Sequence, residues 1–507
     1  MLNALDEVVR IISKEVKEED EGIRQTVLTM ISSSTNNPQN LRILAPSGEG
    51  KTYLVTKVAE IFPQRDVIQL QNATPQSFKY HTNKKVVETD TGDFEDYLTV
   101  IERFNGTDQQ RKEYVKELEK KTYDQVDLEN KILIFLDSQS FQLWESLKPV
   151  LSHDQKDLKS FSVNKSKSGT IQGQRIIIHG HPAVIYCSAK DEQALDQTNE
   201  INTRFNTISL KSDPIKYRQM LEFTAYRSSV PNCIYQEEVI SDSERETAKS
   251  IILRWLSYAG RFEVINPFAD EIQRKFADDA GYKTRQLGIF LSNVKLHTLV
   301  NAQFRPKFEY KDTVSVITRL DDVIEANKLT KKQTPLPPAK IRFFNQNIRT
   351  VLVENGKLVT IGDRQISCLA VSEMIERISI YGMTDGKKLQ ETYLKPLTDS
   401  GYLEKDTDPN SRNRHLYFLP AKYLQNEASL ESTLFDNIDI DVARVKSFIE
   451  RTITRLLRDV RLEGRIGTTI TPDDLLDEIL NRQNEMESMR GVTIVDSSKN
   501  VEGEKHD

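Results

Sequence analysis

Short apolar runs alternate with longer helical patterns over the first two hundred residues of the chain. The runs have the composition of buried strands, and they stand at residues 41–44, 67–70, 132–136, 176–178 and 183–187. Strands that alternate with helices in this way favour a parallel sheet covered by helices on both faces. The pattern therefore predicts an α/β fold for this part of the chain.

The pattern changes beyond residue 211. Apolar positions recur at helical spacing up to about residue 305, so that region is predicted to be all helical. The proline-rich stretch 331–338 is typical of an extended linker. A compact unit follows to about residue 422, then a helical tail, and the last twenty residues are predicted to be disordered. Earlier in the chain, the charged stretch 94–130 indicates a solvated helical insertion.

The segment after the first apolar run has the composition of a phosphate-binding loop. Residues 45–52 read Ala-Pro-Ser-Gly-Glu-Gly-Lys-Thr, with Ala where many such loops begin with Gly. In the order strand, loop, helix, the backbone N–H groups of the loop cradle phosphates. Lys51 would reach the β- and γ-oxygens, and the Thr52 hydroxyl would ligate Mg²⁺. The residues predicted to bind the nucleotide are Pro46, Ser47, Gly48, Glu49, Gly50, Lys51, Thr52 and Tyr53.

The run at 132–136 ends in an acidic residue, Asp137, which gives the pattern of a Walker B strand. The carboxylate at this place holds Mg²⁺ through its water shell. Many such ATPases carry a Glu next, which polarises the attacking water, whereas Ser138 and Gln139 follow here. The departure predicts slow hydrolysis or a water-activating group elsewhere, for which Asp154 is a candidate.

Three more polar residues follow in an order that suits a nucleotide site. Ser188 ends the run at 183–187 and could touch the γ-phosphate, the role called sensor 1. Arg204 would reach the γ-phosphate of a neighbouring subunit and stabilise transition-state charge, although an ordinary surface arginine is the alternative. Arg285 opens an amphipathic helix and could fold over the nucleotide as sensor 2.

A lysine-bearing segment lies between Asp137 and Ser188. Residues 161–163 and 175–178 are predicted to be the arms of a β-hairpin whose Ser/Gly-rich tip presents Lys165 and Lys167. Lysines on such a tip contact nucleic-acid phosphates without reading sequence, and the binding weakens steeply with salt. A flexible solvated loop is the alternative.

Residues 341–422 favour two helices followed by two short strands, the order of a winged helix. A helix of this kind can enter the DNA major groove while the wing touches the backbone. Asp406 and Asp408 in the wing oppose phosphate contact, so a protein-binding role stays open. The basic residues placed for DNA are Lys387, Lys388, Lys395, Arg412 and Arg414.

Composition limits the classes that the protein can belong to. The net charge is −6, so nucleic-acid binding would depend on local basic surfaces. Cys187, Cys233 and Cys368 are widely separated and suggest neither a disulfide framework nor a zinc site. No run approaches the roughly 18 apolar residues of a membrane helix, so we expect no membrane partner and a cytoplasmic location.

The order of phosphate loop, Walker B strand, sensor 1, arginine finger and helical lid resembles the AAA+ ATPases over residues 20–305. The position of the hairpin and the sequence Thr284-Arg285-Gln286-Leu287 are similar to replication helicases, namely minichromosome maintenance, superfamily III and mobile-element primase-associated helicases. The resemblance implies an α/β fold, an AAA+ P-loop parallel sheet with a helical lid, followed by a winged-helix domain and a helical tail. The implied division is 1–211 for the nucleotide-binding core with the insertion 94–130, 212–305 for the lid, 306–340 for a linker, 341–422 for the winged helix, 423–487 for the tail and 488–507 for a disordered end.

The same resemblance implies a DNA-remodelling motor that uses ATP and Mg²⁺, a replication-type helicase. It would work as a ring, a hexamer, with single-stranded DNA in the channel and duplex at the winged helix. Its catalytic residues would be Lys51, Asp137, Arg204, Ser188 and Arg285. The missing Glu favours a different class, a DNA-binding initiator or loader switch with slow hydrolysis. A regulatory ATPase that binds protein partners through the winged helix is the third reading.

Overall fold

A computed structural model describes most of the chain, with gaps between the described ranges. These ranges are 4–71, 73, 84–137, 139–153, 155–165, 171–188, 204–211, 214–274, 282–310, 313–331, 340, 343–361, 364–378, 385–399, 402–409, 411–420, 438–453, 472–480 and 492–495. Ser138, Asp154, Lys167 and the segment predicted as a linker at 332–338 lie outside them.

The described strands are, in chain order, β1 (Asn40–Leu44), β2 (Val67–Leu70), β3 (Lys84–Glu88), β4 (Phe94–Asp96), β5 (Thr122–Asp127), β6 (Ile132–Phe135), β7 (Asp157–Lys165), β8 (Ile171–His179), β9 (Ala183–Ser188), β10 (Asn206–Ser209), β11 (Phe262–Ile265), β12 (Lys307–Tyr310), β13 (Thr313–Ile317), β14 (Lys357–Ile361), β15 (Arg364–Ala370), β16 (Glu404–Asp408), β17 (Ser411–Phe418), β18 (Ile438–Asp441) and β19 (Val492–Val495).

The described helices are α1 (Ala4–Ser13), α2 (Asp20–Ile31), α3 (Lys51–Ala59), α4 (Tyr97–Glu102), α5 (Asp108–Glu119), α6 (Phe141–Ser152), α7 (Pro214–Ser229), α8 (Asn232–Val239), α9 (Asp242–Arg261), α10 (Ala269–Gln273), α11 (Tyr282–Val300), α12 (Leu320–Lys331), α13 (Arg349–Asn355), α14 (Val371–Ile378), α15 (Gly386–Leu389), α16 (Lys395–Asp399), α17 (Val442–Phe448) and α18 (Pro472–Leu480). Phe344–Ile348, Gln390–Leu394 and Ile449–Ile453 are π-helical turns beside them.

A five-stranded sheet in the order β10-β1-β9-β6-β2 forms the centre of the first unit, and every pairing in it is parallel. Alternate residues of its strands enter two different cores. Ile134 and Ile185 belong to the core made with α1, α2 and α3, whereas Phe135 and Tyr186 belong to the core made with α6. The prediction of an α/β fold with a parallel sheet covered on both faces is confirmed.

A second five-stranded sheet, β4-β3-β5-β8-β7, lies outside the central one. Residues 176–178, predicted as a strand of the central parallel sheet, lie in β8 of this second sheet. The insertion 94–130, predicted to be helical, is only partly so. The insertion holds α4 and α5 but also supplies β4 and β5. β5 was not predicted because its sequence, Thr-Tyr-Asp-Gln-Val-Asp, is mostly polar. Its Tyr123 and Val126 are buried in two different cores.

The lid and linker boundaries also need correction, because strands occur where helices or an unstructured linker were predicted. β11 interrupts the region predicted to be all helical and pairs with β13, which also pairs with β12. β12, β13 and α12 therefore make residues 307–331 a folded part of this unit. β11, β12 and β13 hold four or five residues each, with polar residues beside the apolar ones, so none has the continuous apolar run that predicted the central strands.

The C-terminal unit has the predicted helix, helix and ribbon, with two additional strands in front. Its four-stranded antiparallel sheet has the order β14-β15-β17-β16. α14 and the helical stretch 386–399 pack on it through a core that includes Met374, Leu389 and Leu397. The strands β14 and β15 were not predicted.

The end of the chain corrects the prediction of disorder at 488–507 for one segment. β19 pairs in parallel with β18, which immediately precedes the helix α17. The folded region from β11 to α12 is here called the unit 262–331, and its core includes Phe268 and Phe308. Ile440, Val445 and Leu475 of the tail belong to the same core. The tail therefore packs against the folded protein.

Candidate functional site

The loop between β1 and α3 has the backbone of a tight turn into a helix. Gly48 and Gly50 have φ angles of 90° and 85°, in the left-handed region that non-glycine residues rarely adopt. Gly50 is the N-cap of α3, whose first residue is Lys51. The loop thus ends at a helix N-terminus, where unpaired N–H groups and the helix dipole favour anions.

Lys51 lies against its own loop. Its Nζ donates to the carbonyl oxygens of Ala45 and Pro46, both at 2.7 Å. The residue is only 9% exposed, and burial lowers the pKa of Lys51 below its ordinary value, while the charges of Glu49 and Asp137 act in the opposite direction. A partly desolvated ammonium held at the loop is well placed to pair with phosphate oxygens.

Ser188 ends β9, the neighbour of β1, and Asp137 follows β6, the next strand beyond it, so both lie at the carboxyl ends of the central strands. Ser188 lies opposite Leu44, and the backbone N–H of Ala45 donates to the Ser188 carbonyl oxygen at 3.3 Å. β6 pairs with β9 on its other side, and Asp137 comes two residues after β6, with its side chain exposed. The chain passes from β1 to β2 on one side of the sheet centre and from β9 to β10 on the other, and such a reversal of direction creates the crevice in which open α/β sheets bind ligands.

The Ser188 hydroxyl has an unusual environment. The residue is 1% exposed, and its Oγ has no hydrogen-bond partner among the described residues. A buried hydroxyl without a partner costs about 1–3 kcal/mol, so such groups in folded proteins call for a specific explanation.

Thr52 and Tyr53 complete the predicted loop residues. Thr52 is exposed in the first turn of α3, whereas Tyr53 is half-buried. The hydroxyl oxygen of Thr52 and the carboxylate of Asp137 are the hard oxygen donors that Mg²⁺ prefers, so the residues present fit this ion. Among the described residues there is no cluster of three or more His, Cys, Asp or Glu side chains that could hold a metal by themselves.

Gln139 is a residue of the site that sequence reasoning missed. Its Nε2 donates to the Gln71 carbonyl oxygen at 2.9 Å and to the Asp137 carbonyl oxygen at 2.7 Å. Its Oε1 accepts from the backbone N–H of Ala73 at 2.9 Å. Gln139 therefore joins the segment after β2 to the segment after β6. No sequence signal marks this role, because it depends on the pairing of two distant strands.

Arg204 lies at the amino ends of the central strands, whereas the phosphate loop lies at their carboxyl ends. It precedes β10, and its carbonyl oxygen accepts from Asn40 Nδ2 at 3.2 Å, at the start of β1. The loop follows the other end of β1, roughly 16 Å away for five residues at about 3.3 Å each. Arg285 is exposed in the first turn of α11. The structure thus brings Lys51, Asp137 and Ser188 together and places Arg204 apart from them.

The predicted DNA-binding residues lie on two separate elements. Lys165 is the last residue of β7, opposite Ile171 in the antiparallel pair β7–β8, so the predicted hairpin arms are present. Lys387 and Lys388 are exposed at the start of α15, where the Asp385 carboxylate accepts from both of their backbone N–H groups. Arg412 lies in β17.

Arg414 is engaged within its own unit. Its guanidinium lies 3.0 Å from the Glu373 carboxylate and 3.8 Å from that of Asp408. Glu373 also pairs with Lys357 at 2.5 Å and accepts from the backbone N–H of Ala370, and these contacts hold the pKa of Glu373 at about 2 against the effect of burial. Arg414 is therefore a less accessible contact for DNA phosphates than Lys387 and Lys388.

No protein-family model matches the chain, and no curated protein sequence matches it. One solved structure that it resembles is a full-length MCM homolog from Methanopyrus kandleri, with 11% sequence identity and a TM-score of 0.33. The match covers 64% of this chain and 57% of that protein, so the chain spans little more than half its length. At this level the likeness carries no argument about function. No helix among the described residues is both long and apolar enough to cross a membrane.

Proposed function

We propose that the protein binds and hydrolyses ATP at the loop between β1 and α3. One observation carries the proposal: a glycine-shaped loop with Lys51, an acidic residue and a buried polar residue follow the adjacent strands β1, β6 and β9 at one edge of a parallel sheet. These are the groups that phosphate binding, Mg²⁺ binding and contact with a terminal phosphate require.

Each residue has a defined role in this proposal. Backbone N–H groups of the loop and the ammonium of Lys51 hold the phosphates, while Thr52 and Asp137 hold Mg²⁺. The bound Mg²⁺ would neutralise charge on the phosphates. Ser188, whose hydroxyl has no described partner, would donate to the γ-phosphate or to the attacking water.

We further propose that this ATPase is an AAA+ motor that acts on DNA, a replication-type helicase that works as a ring. Three features support it: the helices α7–α9 that follow the nucleotide core, the antiparallel pair β7–β8 with Lys165 as the last residue of β7, and the helix, helix and ribbon of the C-terminal unit. The distance of Arg204 from its own loop suits an arginine that serves a neighbouring subunit. A hexamer would face several hairpins toward one channel and multiply weak individual contacts by avidity.

The test is ATP hydrolysis by the purified protein, alone and with single-stranded or double-stranded DNA. We expect turnover that DNA stimulates and that Lys51→Ala abolishes, because the ammonium that pairs with the phosphates is lost. Lys249→Ala is the matched control, since Lys249 lies on α9 with a partly exposed side chain and, within the described part of the chain, pairs with Glu246. Equal turnover in Lys51→Ala and the wild type would contradict the proposed site.

A second function, an ATP-dependent DNA-binding switch with slow hydrolysis, is favoured by the residues after Asp137. The place of the usual water-activating Glu is taken by Ser138-Gln139, and Gln139 is committed to bonds with the backbone of Gln71, Ala73 and Asp137. Tight ATP-dependent binding of duplex DNA with turnover near background would support the switch. Fast DNA-stimulated turnover would support the motor.

A further inference from the structure

Lys216 is a buried lysine beside the phosphate loop. Among the residues of α7, all of which the structure describes, Lys216 alone is buried, and it is 1% exposed. Its Nζ lies 2.8 Å from Glu19 Oε1, 2.8 Å from the Lys211 carbonyl oxygen and 3.0 Å from the Glu49 carbonyl oxygen. The Glu49 carboxylate is 3.5 Å away. One ammonium therefore joins α7, the residue before α2 and the phosphate loop.

The surroundings of this ammonium are complete. An ammonium has three N–H donors, and the three closest acceptors match that number. Burial of a charge is costly unless it is paired and hydrogen-bonded, and here the carboxylates of Glu19 and Glu49 supply the pairing. Glu19 is held from another side as well, by the backbone N–H of Lys211 at 2.8 Å. Removal of Lys216 alone would leave two carboxylates uncompensated in a buried place.

The contact with the Glu49 carbonyl oxygen has a consequence for the loop. The Glu49–Gly50 peptide is planar and trans, so its C=O and the N–H of Gly50 point in opposite directions. A donor that fixes the carbonyl oxygen on the Lys216 side therefore turns the Gly50 N–H away from Lys216. Gly50 is the N-cap of α3, where the N–H groups that receive phosphate begin.

Several polar contacts join the helical hairpin α7–α8 to acidic residues of the nucleotide core. Besides Lys216, the Tyr217 hydroxyl donates to Glu49 Oε1, Gln219 Nε2 donates to Glu18 Oε1 at 2.8 Å, and the Tyr235 hydroxyl donates to Glu15 Oε1 at 2.9 Å. Glu49 of the loop thus contacts two residues of α7, Lys216 and Tyr217.

We propose that Lys216 is a positioning residue of the nucleotide site, which fixes the Glu49–Gly50 peptide of the phosphate loop and ties it to the helical hairpin α7–α8. The inference rests on the proposed nucleotide binding. Lys216 acts through the backbone of the loop and through Glu49. Its loss therefore weakens nucleotide binding by freeing the loop, whereas loss of Lys51 removes a direct phosphate contact.

The first test is amide hydrogen exchange of the loop peptide 45–52 in the nucleotide-free protein. In Lys216→Met we expect exchange about ten-fold faster or more, because a buried ion pair is broken, while β6 and β9 exchange as in the wild type. The double variant Lys216→Met/Glu19→Gln removes the buried Glu19 carboxylate together with the lysine, which lowers the risk of misfolding. It should show the same increase in the exchange rate of the loop. Glu19→Gln alone, which keeps the lysine, should change the loop much less.

The second test is ATP affinity of the same variants, measured by calorimetry. We expect about ten-fold weaker binding for both Lys216 variants and a smaller loss for Glu49→Ala, because Ala at position 49 keeps the carbonyl oxygen that Lys216 holds. Lys249→Met should bind like the wild type. Unchanged loop exchange and affinity in a folded Lys216 variant would overturn the role of Lys216 alone. Absence of ATP binding by the wild type would instead overturn the proposed function.

Discussion

At the residue scale, the fold gives three polar side chains at one sheet edge three different environments. Lys51 is buried and bonded to its own loop, Ser188 is buried with no described partner for its hydroxyl, and Asp137 is exposed. Phosphate would offer acceptors to both Lys51 and Ser188, while Mg²⁺ would reach an exposed carboxylate without a large desolvation cost. The differences therefore suit the separate roles that we propose for these residues.

His297 provides a test of burial at the residue scale. It is 1% exposed on α11, neither ring nitrogen has a hydrogen-bond partner among the described residues, and burial lowers the pKa of His297 to about 4. The charges that act on it are those of Glu325 and Asp322, which raise the pKa, and those of Arg24 and Arg305, which lower it. Below the ordinary pKa of about 6.5, the unfolded chain takes up a proton that the folded chain does not.

Stability should therefore be lost as the pH falls from about 6.5 toward 4. Between about pH 7.5 and pH 5 we expect the His297 contribution to decrease the free energy of unfolding by about 2 kcal/mol. Chemical denaturation of the wild type and of His297→Leu at both pH values measures the difference. The variant should lose about 2 kcal/mol less than the wild type over this range, and equal losses would show that His297 does not titrate as a buried group.

At the element scale, the hairpin β7–β8 and the C-terminal unit carry the proposed DNA contacts. The hairpin extends the second sheet, in which β8 pairs in parallel with β5, so its base is anchored beside the nucleotide core. In the chain, the pair β7–β8 lies between Asp137 and Ser188.

The hairpin lysines should contribute to DNA affinity without a role in nucleotide binding. We expect Lys165→Glu/Lys167→Glu to weaken binding of single-stranded DNA by about ten-fold or more at low salt and to reduce the slope of affinity against salt, because each phosphate contact releases a counterion. Lys112→Glu/Lys116→Glu is the matched control, since these lysines are exposed on α5. Fluorescence anisotropy measures both pairs, and equal losses would indicate a general charge effect.

The tail is the second element whose placement can be tested. Leu475 on α18 is 0% exposed and shares a core with Phe268, Phe308 and Ile440. We expect Leu475→Ala to lower the free energy of unfolding by about 2–5 kcal/mol through lost burial and a cavity. Leu358→Ala, at a position that is 73% exposed, should change it by no more than about 0.5 kcal/mol. Similar small effects of both changes would show that the tail does not pack on the unit 262–331.

At the scale of the whole molecule, the two ends of the central strands carry different parts of the proposed ATPase site. The phosphate loop, Asp137 and Ser188 lie at the carboxyl ends, and Arg204 lies at the amino ends. A single copy therefore does not bring Arg204 to its own loop. An assembly in which the Arg204 edge of one copy meets the loop edge of the next would complete the site.

This arrangement predicts complementation between two inactive variants. Arg204→Ala should bind ATP normally but hydrolyse it slowly, and Lys51→Ala should fail to bind it. Mixed in equal amounts, they should recover part of the wild-type turnover, because a Lys51→Ala copy can still offer Arg204 to an intact loop. Steady-state ATPase measurements over a range of mixing ratios test this. Turnover that never exceeds the average of the two pure variants would argue against a shared site.

The sequence by itself determined the parallel sheet and the local part of the candidate site. Continuous apolar runs mark strands buried on both faces, and the glycines of the loop stand where the backbone needs positive φ angles, so both signals are local. Only the tertiary structure decided where strands with polar sequences belong. β5 and β19 are stabilised by pairing with distant partners, and a short window of sequence does not contain those partners.

The same distinction applies to the side chains around the loop. Lys51 and Asp137 were predictable because phosphate and Mg²⁺ binding place them at fixed positions relative to a strand. Lys216 and Gln139 were not, because their hydrogen-bond partners lie far away in the sequence. Lys216 donates to Glu19 and Glu49, whereas Gln139 donates to the Gln71 carbonyl oxygen and accepts from the Ala73 N–H. A polar side chain obtains such a role only when the folded chain brings its partners together and excludes water from them.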